Sequence, residues 1–466
     1  MGEIVTGNAR FLLFSLALLI GVVGYLAVDH VARLRGAATS RTAARDAAAA
    51  TAGAARPAAA PGGDTQAELR KTYDACVMTL FPSREDAEPR AAACSKALQT
   101  RQLSPEQVAL ARLTRGIART ALGDNVLAGE DYVAAVKHYD QLINPANPDA
   151  LAVYRRAVAL AATGQTDRAL DEYADAIKLD PKASLAFLSR GVLLAARKRA
   201  YERAIQDFNR TLELEPNNVD ALVARGDAFS QLKDVGRAMA DLNRAVALAP
   251  GNAVALIARG QAESRRGNQA EAQRDFEAAV KADPRNATAL VNLAAVTALR
   301  GDVAATIPLL DRAIEIDKSD PLAFYNRGYA RFTLKQYDKA LEDYSAAIDL
   351  DRTLGLAFNN RALTRVVLDK DLKAALDDVD EALNLMPLNL DVRETRGFIY
   401  LKLNEPAQAL TNYDAALVLD PNRPLALYGR GLARLRLGDA GGKGDQQAAL
   451  TISPDVAAEF EKYGLQ

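Results

Sequence analysis

An Arg-Gly or Arg-Ala pair returns along this chain at 115–116, 156–157, 190–191, 225–226, 259–260, 327–328, 361–362, 396–397 and 430–431. The small residue of each pair serves as a marker: Gly116, Ala157, Gly191, Gly226, Gly260, Ala294, Gly328, Ala362, Gly397 and Gly431. Successive steps are 41, 34, 35, 34, 34, 34, 34, 35 and 34 residues. Such a period decides the architecture before local propensity does, because each copy must be one supersecondary unit stacked on the next. The ten copies are numbered one to ten below, by their markers.

Each copy reads as two helices. Alanine stands five residues before the marker in nine of the ten. A small residue follows the marker by twelve or thirteen (Ala169, Ala204, Ala340), a bulky one comes four later (Tyr173, Phe208, Tyr344), and alanine often comes three beyond that (Ala176, Ala347). Steps of four and three stay on one helical face. Pro181, Pro216, Pro250, Pro284, Pro387 and Pro421 then stop the second helix, which proline cannot continue. The pattern predicts an all-α solenoid of about ten helix-turn-helix repeats. Repeat one carries seven extra residues, placed by this reading at about Gly123 to Gly129 in the turn between its helices.

The arginine has a matching position. Fifteen or sixteen residues after the marker stand Glu172, Asp207, Asp241, Asp275, Asp343 and Asp378, and once Asn412. In repeat six the arginine becomes Leu293, and there the acid also becomes Leu309. Paired change within one chain points to an Arg–carboxylate bridge from first to second helix, in the same repeat or its neighbour. A guanidinium meets a carboxylate with two parallel hydrogen bonds, which suits arginine to the place. The competing reading is a basic stripe for an anionic ligand.

Composition removes other classes. A formal charge of −1 gives no basic excess for nucleic acid. Two histidines (His30, His138) and two cysteines are too few for a zinc site, and neither histidine has the setting of a catalytic triad. The stretch "AGGKGD" near the end places a lysine among glycines, but Leu437 and Gly444 stand where a phosphate-binding loop needs glycine and a hydroxyl. No enzyme, cofactor or metal is expected.

Small, bulky, small and terminal proline in a 34-residue helix-turn-helix resemble the tetratricopeptide repeat, over roughly residues 109–452. The resemblance implies a right-handed superhelix whose first helices line a concave groove for a protein or peptide partner. Two features depart from the family pattern. Its tryptophan is absent, with Phe187, Phe324 and Phe358 among the replacements, and its leucine before the glycine is here the repeated arginine. In the family, asparagine two residues before the glycine holds bound peptide through its backbone. Asn292, Asn326 and Asn360 occupy that position in three consecutive repeats, with Tyr325, Tyr329 and Asn359 beside them. These six are the candidate groove residues. The competing reading is that asparagine there caps local turns or faces water.

Before the array, Cys76 and Cys94 stand one on each of two short helices. The residues alone leave two buried thiols or a disulfide open. Resemblance of "AAACSKAL" to the start of periplasmic or secreted bacterial repeat proteins implies the disulfide. Further upstream, Phe11 to Val28 is free of charge and as a helix would span about 27 Å, near the thickness of a bilayer core. An uncleaved transmembrane anchor is expected, with a cleaved signal peptide as the alternative. Residues 36–66 hold almost no large apolar side chain and read as a disordered linker. Arginines after the span favour a cytoplasmic array; the cysteine pair and the resemblance favour the periplasm, which is the expectation, on a bacterial inner membrane.

The resulting organisation is a tail (1–9), an anchor (10–29), a linker (30–66), a helical pair (67–104), the repeat array (105–452) and a cap helix (453–466). Its expected role is a non-catalytic, membrane-tethered scaffold for a protein or peptide. A structural spacer or assembly factor without a groove ligand, or a regulatory subunit of an enzyme complex, are the alternatives.

Overall fold

The computed structural model describes residues 63–77, 84–461 and 464–465. Among them are 23 helices and no strand. A hairpin of α1 (Gly63–Val77) and α2 (Arg84–Gln99) comes first. Repeats one to five follow as α3 (Pro105–Ala121) with α4 (Asn125–Leu142), α5 (Ala150–Ala162) with α6 (Thr166–Leu179), α7 (Ser184–Lys198) with α8 (Tyr201–Leu214), α9 (Val219–Gln231) with α10 (Val235–Leu248), and α11 (Ala253–Arg265) with α12 (Gln269–Ala282). Repeats six to ten are α13 (Ala287–Leu299) with α14 (Thr306–Ile316), α15 (Pro321–Thr333) with α16 (Tyr337–Leu350), α17 (Gly355–Val367) with α18 (Leu372–Leu385), α19 (Leu390–Lys402) with α20 (Pro406–Leu419), and α21 (Pro424–Arg436) with α22 (Gly442–Ile452). Helix α23 (Val456–Glu461) closes the series. The protein is an all-α helical repeat solenoid, in two compact bodies divided between Ala262 and Glu263.

No helix of the described residues is long and apolar enough to cross a membrane. The apolar segment Phe11–Val28, the tail and the linker up to residue 62 lie outside the described residues.

The marker must be small because the bulky residue of the second helix lies flat against it. A Cβ at Gly328 would meet Tyr344 Cδ1 at 2.9 Å, and one at Gly191 would meet Phe208 Cε1 at 2.7 Å. Alanines complete these contacts: Ala340, Ala347 and Ala323 are each fully buried. Close-packed interiors leave no room for an added methyl at such points.

The arginine before the marker bridges the two helices of its own repeat. Arg115–Asp131, Arg156–Glu172, Arg190–Asp207, Arg225–Asp241, Arg327–Asp343, Arg361–Asp378 and Arg430–Asp445 close at 2.5–2.7 Å. In six of these pairs Nε and Nη2 divide between the two carboxylate oxygens, and Arg327 Nε lies 3.1 Å from both. In five of the seven the remaining nitrogen, Nη1, reaches back to the second helix of the preceding repeat. Arg156 meets Asp140 at 3.1 Å, Arg225 meets Asn209 at 2.7 Å, and Arg327 meets Asp311 at 2.7 Å. One guanidinium therefore joins three helices. Where the acid is Asn412, Arg396 keeps only the backward contact, to Asp380 at 2.7 Å, and Asn412 turns its amide to the Gln408 carbonyl.

The two departures from the family pattern belong together. The arginine carbon lies 5.8 Å from the Phe187 ring centre in repeat three, 5.5 Å from Phe324 in repeat seven and 5.7 Å from Phe358 in repeat eight. The phenylalanine in the tryptophan position, three residues earlier, shields the guanidinium and gains a cation–π contact.

Repeat one needs a correction. Ala128, Tyr132 and Ala135 stand twelve, sixteen and nineteen residues after Gly116, as in the other repeats, and all three are fully buried. The turn between α3 and α4 is therefore of ordinary length. The seven extra residues lie at the other end, as a further turn of α4 to Leu142 and a longer loop at 143–149. Repeated prolines and asparagines in that loop (Asn144, Pro145, Asn147, Pro148) keep it from continuing the helix.

Sulfur atoms of Cys76 and Cys94 are bonded, joining α1 to α2 with a Cα–Cα distance of 4.7 Å. Both cysteines are fully buried.

Candidate functional site

In each first helix, the positions −6, −3, −2, +1 and +4 from the marker share one stripe, beside the face that the marker turns to the second helix. In the body beginning at Glu263 this stripe contains every candidate groove residue. The structure assigns them different duties.

Asn292 is buried, and its amide donates to the Thr288 carbonyl of its own helix at 2.8 Å. Tyr325 is buried, with its ring 6.0 Å from that of Tyr344. Burial pushes its hydroxyl well above the usual phenol range. The Asn360 amide donates to that hydroxyl at 3.2 Å, from the next repeat. Asn359 is 1% exposed; its Nδ2 lies 3.5 Å from Asn360 Oδ1, and its own Oδ1 has no hydrogen-bond partner among the described residues. Tyr329 is half-buried, and burial raises its hydroxyl too. Asn326 is half-buried and makes no side-chain hydrogen bond among the described residues. Of the three amides, then, two are engaged within the protein and Asn326 is open.

The sequence reading named Tyr329 but missed the other apolar members of the same stripe. Around Asn326 are Leu322 at −6, Tyr329 at +1 and Phe332 at +4, all partly exposed. Repeats nine and ten add Phe398 at +1 and Tyr428 at −3. The signal was available as helical spacing from each marker. Repeat nine also carries acids on the stripe, Asp391 and Glu394, both held by Arg423 Nη2 at 2.6 Å. Burial raises the Glu394 carboxyl, and the Arg423 contact works against that rise.

Among the described residues no group of three or more His, Cys, Asp or Glu side chains is placed to hold a metal ion.

Family models described as "Tetratricopeptide repeat" match residues 113–184, 154–210, 190–253, 257–321 and 321–354, and one described as "TPR repeat" matches 397–438. A curated relative, small glutamine-rich tetratricopeptide repeat-containing protein 2 of Mycosarcoma maydis, is 34% identical over 102 residues, which is 21% of this chain and 28% of that protein. The chain thus spans just over a quarter of the length of the curated relative it matches. Among solved structures, the APC/C hetero-tetramer Cut9-Hcn1 aligns with a TM-score of 0.48 and 16% identity, over 86% of this chain and 96% of that one. YrrB, described as a TPR protein with an unusual peptide-binding site, aligns with a TM-score of 0.32 and 23% identity, over 40% of this chain and 95% of its own.

Proposed function

Because the chain belongs to the tetratricopeptide repeat family, we propose that it is a non-catalytic scaffold holding a protein or peptide partner against its first helices. One observation carries this reading: Asn326 presents an uncommitted amide between partly exposed Leu322, Tyr329 and Phe332. An amide offers one acceptor and two donors, enough to read a peptide backbone whatever its side chains. Apolar and aromatic neighbours supply the area that a bound segment would cover. Asn292 and Asn360 contribute to this site only through the helices they support.

The apolar segment Phe11–Val28 would tether the scaffold to a membrane. The Cys76–Cys94 bond supports an oxidising compartment for the array.

The test is affinity capture on the immobilised chain from Ala67 onward, against a variant carrying Asn326→Ala and Tyr329→Ala. A partner held by the first and lost by the second, with helicity unchanged, is the expected result. Equal retention by both would place the binding surface elsewhere.

A further inference from the structure

Helix α23 does more than end the stack. Val456 and Phe460 stand one helical turn apart and are 3% and 1% exposed. The Phe460 ring centre lies 5.0 Å from that of Tyr428 on α21 and 5.3 Å from that of Phe398 on α19. A helix that only covered repeat ten would have no reason to touch repeat nine; Phe460 reaches past the adjacent first helix to the one before it. Both receiving rings, at −3 and +1 from their markers, are members of the partner-facing stripe. The chain then folds back: Gly464 takes φ +71 and donates to the Glu461 carbonyl at 3.0 Å, and Leu465 N–H donates to the Phe460 carbonyl at 3.1 Å. Leu465 is thereby returned to the same apolar cluster, 3% exposed.

We propose that the stripe over repeats nine and ten is a docking site for a short partner helix with an aromatic residue and an apolar residue one turn before it. The chain's own C-terminal segment holds that place until such a partner displaces it. The proposal rests on the partner-binding reading above and adds the partner's chemistry and a competitor. A six-residue helix does not hold itself together in water, so α23 owes its form to the stripe it covers. A helix this short, with few backbone ties, opens at low free-energy cost, which is what a displaceable occupant requires. Tethering raises its local concentration, so only a partner of matched chemistry competes.

Two measurements on the full chain test this. Hydrogen exchange of the unaltered protein should show α23 amides exchanging about tenfold or more faster than those of α21 and α22. A fluorescein-labelled peptide of residues 453–466 should bind the Phe460→Ala chain about tenfold more tightly than the unaltered chain, and the same peptide carrying Phe460→Ala should not bind either. Exchange of α23 in step with α21 and α22 would show a fixed cap and overturn the proposal, and so would equal peptide binding by both chains. Should Phe460→Ala lose helicity, the exchange measurement on the unaltered chain decides by itself. Loss of partner on Asn326→Ala with Tyr329→Ala, alongside equal peptide binding, would sink this proposal and leave the scaffold reading standing.

Discussion

The Asn360 amide donates to the Tyr325 hydroxyl at 3.2 Å, linking first helices of neighbouring repeats. The same relation recurs in the other body, where the Tyr154 hydroxyl and the Ser189 hydroxyl lie 3.3 Å apart, also 35 residues distant. In both cases the tyrosine stands three residues before its marker and the polar partner two before the next. Each tyrosine also packs on the tyrosine of its own second helix, Tyr173 or Tyr344, at 5.9 and 6.0 Å. The slot two before the marker thus serves the ring ends of the repeat before it. In repeat ten that slot is Gly429, because a Cβ there would overlap the end of the Tyr413 ring.

Asn360→Ala should therefore cost stability and Asn326→Ala should not. Removing the Asn360 amide leaves a buried hydroxyl unsatisfied, worth about 1–3 kcal/mol. Asn326→Ala loses no side-chain hydrogen bond among the described residues and should stay within about 0.5 kcal/mol. Urea titrations followed by circular dichroism measure both; equal losses would mean that the slot is not used in this way.

Arg327→Ala should destabilise by about 2 kcal/mol, beyond what an exposed ion pair contributes, because it leaves the buried Asp343 carboxylate with Arg331 alone, at 2.8 Å. Asp343 is 2% exposed, and burial raises its carboxyl even though Arg327 and Arg331 pull it down. Changing Arg327 and Asp343 together to leucine, the pair present natively as Leu293 and Leu309, should recover much of the loss. A double variant no better than the sum of the singles would show the two to be uncoupled.

The N-cap of α15 gives a pH dependence. Asp320 accepts from Leu322 N–H at 2.9 Å, and burial pushes its carboxyl up to about 6. An unfolded aspartate titrates near about 4, so the folded chain holds this proton more tightly and ionisation costs stability. The cost is complete above the folded value and disappears as pH falls through 6 towards 4. An asparagine in this place would keep the cap, as Asn218, Asn286 and Asn389 do in other repeats. Asp320→Asn should thus stabilise at pH 7.5 by on the order of 1–2 kcal/mol and give no gain near pH 4. A gain independent of pH would refute the assignment.

Alkylation of the native protein without reductant should leave Cys76 and Cys94 unmodified, as read by intact mass. Reduction should weaken the α1–α2 hairpin by roughly 3 kcal/mol in the chain-entropy model. Two alkylated cysteines under oxidising conditions would remove the bridge.

The repeat made the fold readable, since marker, alanine and bulky residue fix contacts that recur along the array. The Arg–carboxylate bridge was readable for the same reason, through the joint change at Leu293 and Leu309. Asp131 was passed over although it stands at the usual offset of fifteen from Gly116, because repeat one was read as interrupted in its turn. Asp445 comes one residue early after a glycine-rich turn, and Arg430 and Arg434 both reach it. Burial pushes the Asp445 carboxyl up, but the two arginines bring it below its usual range. The backward contacts were written in the sequence as polar residues sixteen before most of the arginines, among them Asp140, Asp311, Asp380 and Asp414; before Arg190 that place is Ala174. What could not be read was the fate of the asparagines. Whether such an amide is engaged or open depends on which ring ends in the preceding repeat, a three-dimensional fact with no signature at the slot itself.

The three-helix guanidinium contact sets how the array comes apart. Each arginine adds the loss of a bond to its predecessor to the opening of one repeat, so neighbouring repeats share a cohesive energy and tend to melt together. Leu293 offers no such bond to α12. An unfolding front entering from the C-terminal end would meet this guanidinium bond at each of repeats ten, nine, eight and seven, and then a junction whose guanidinium contacts go to neutral acceptors, Arg300 to the Gln273 side chain and Arg312 to the Pro284 carbonyl. Salt weakens the first kind of junction and spares the second, so raising ionic strength should bring the two closer and make that stretch of the solenoid melt more nearly as one.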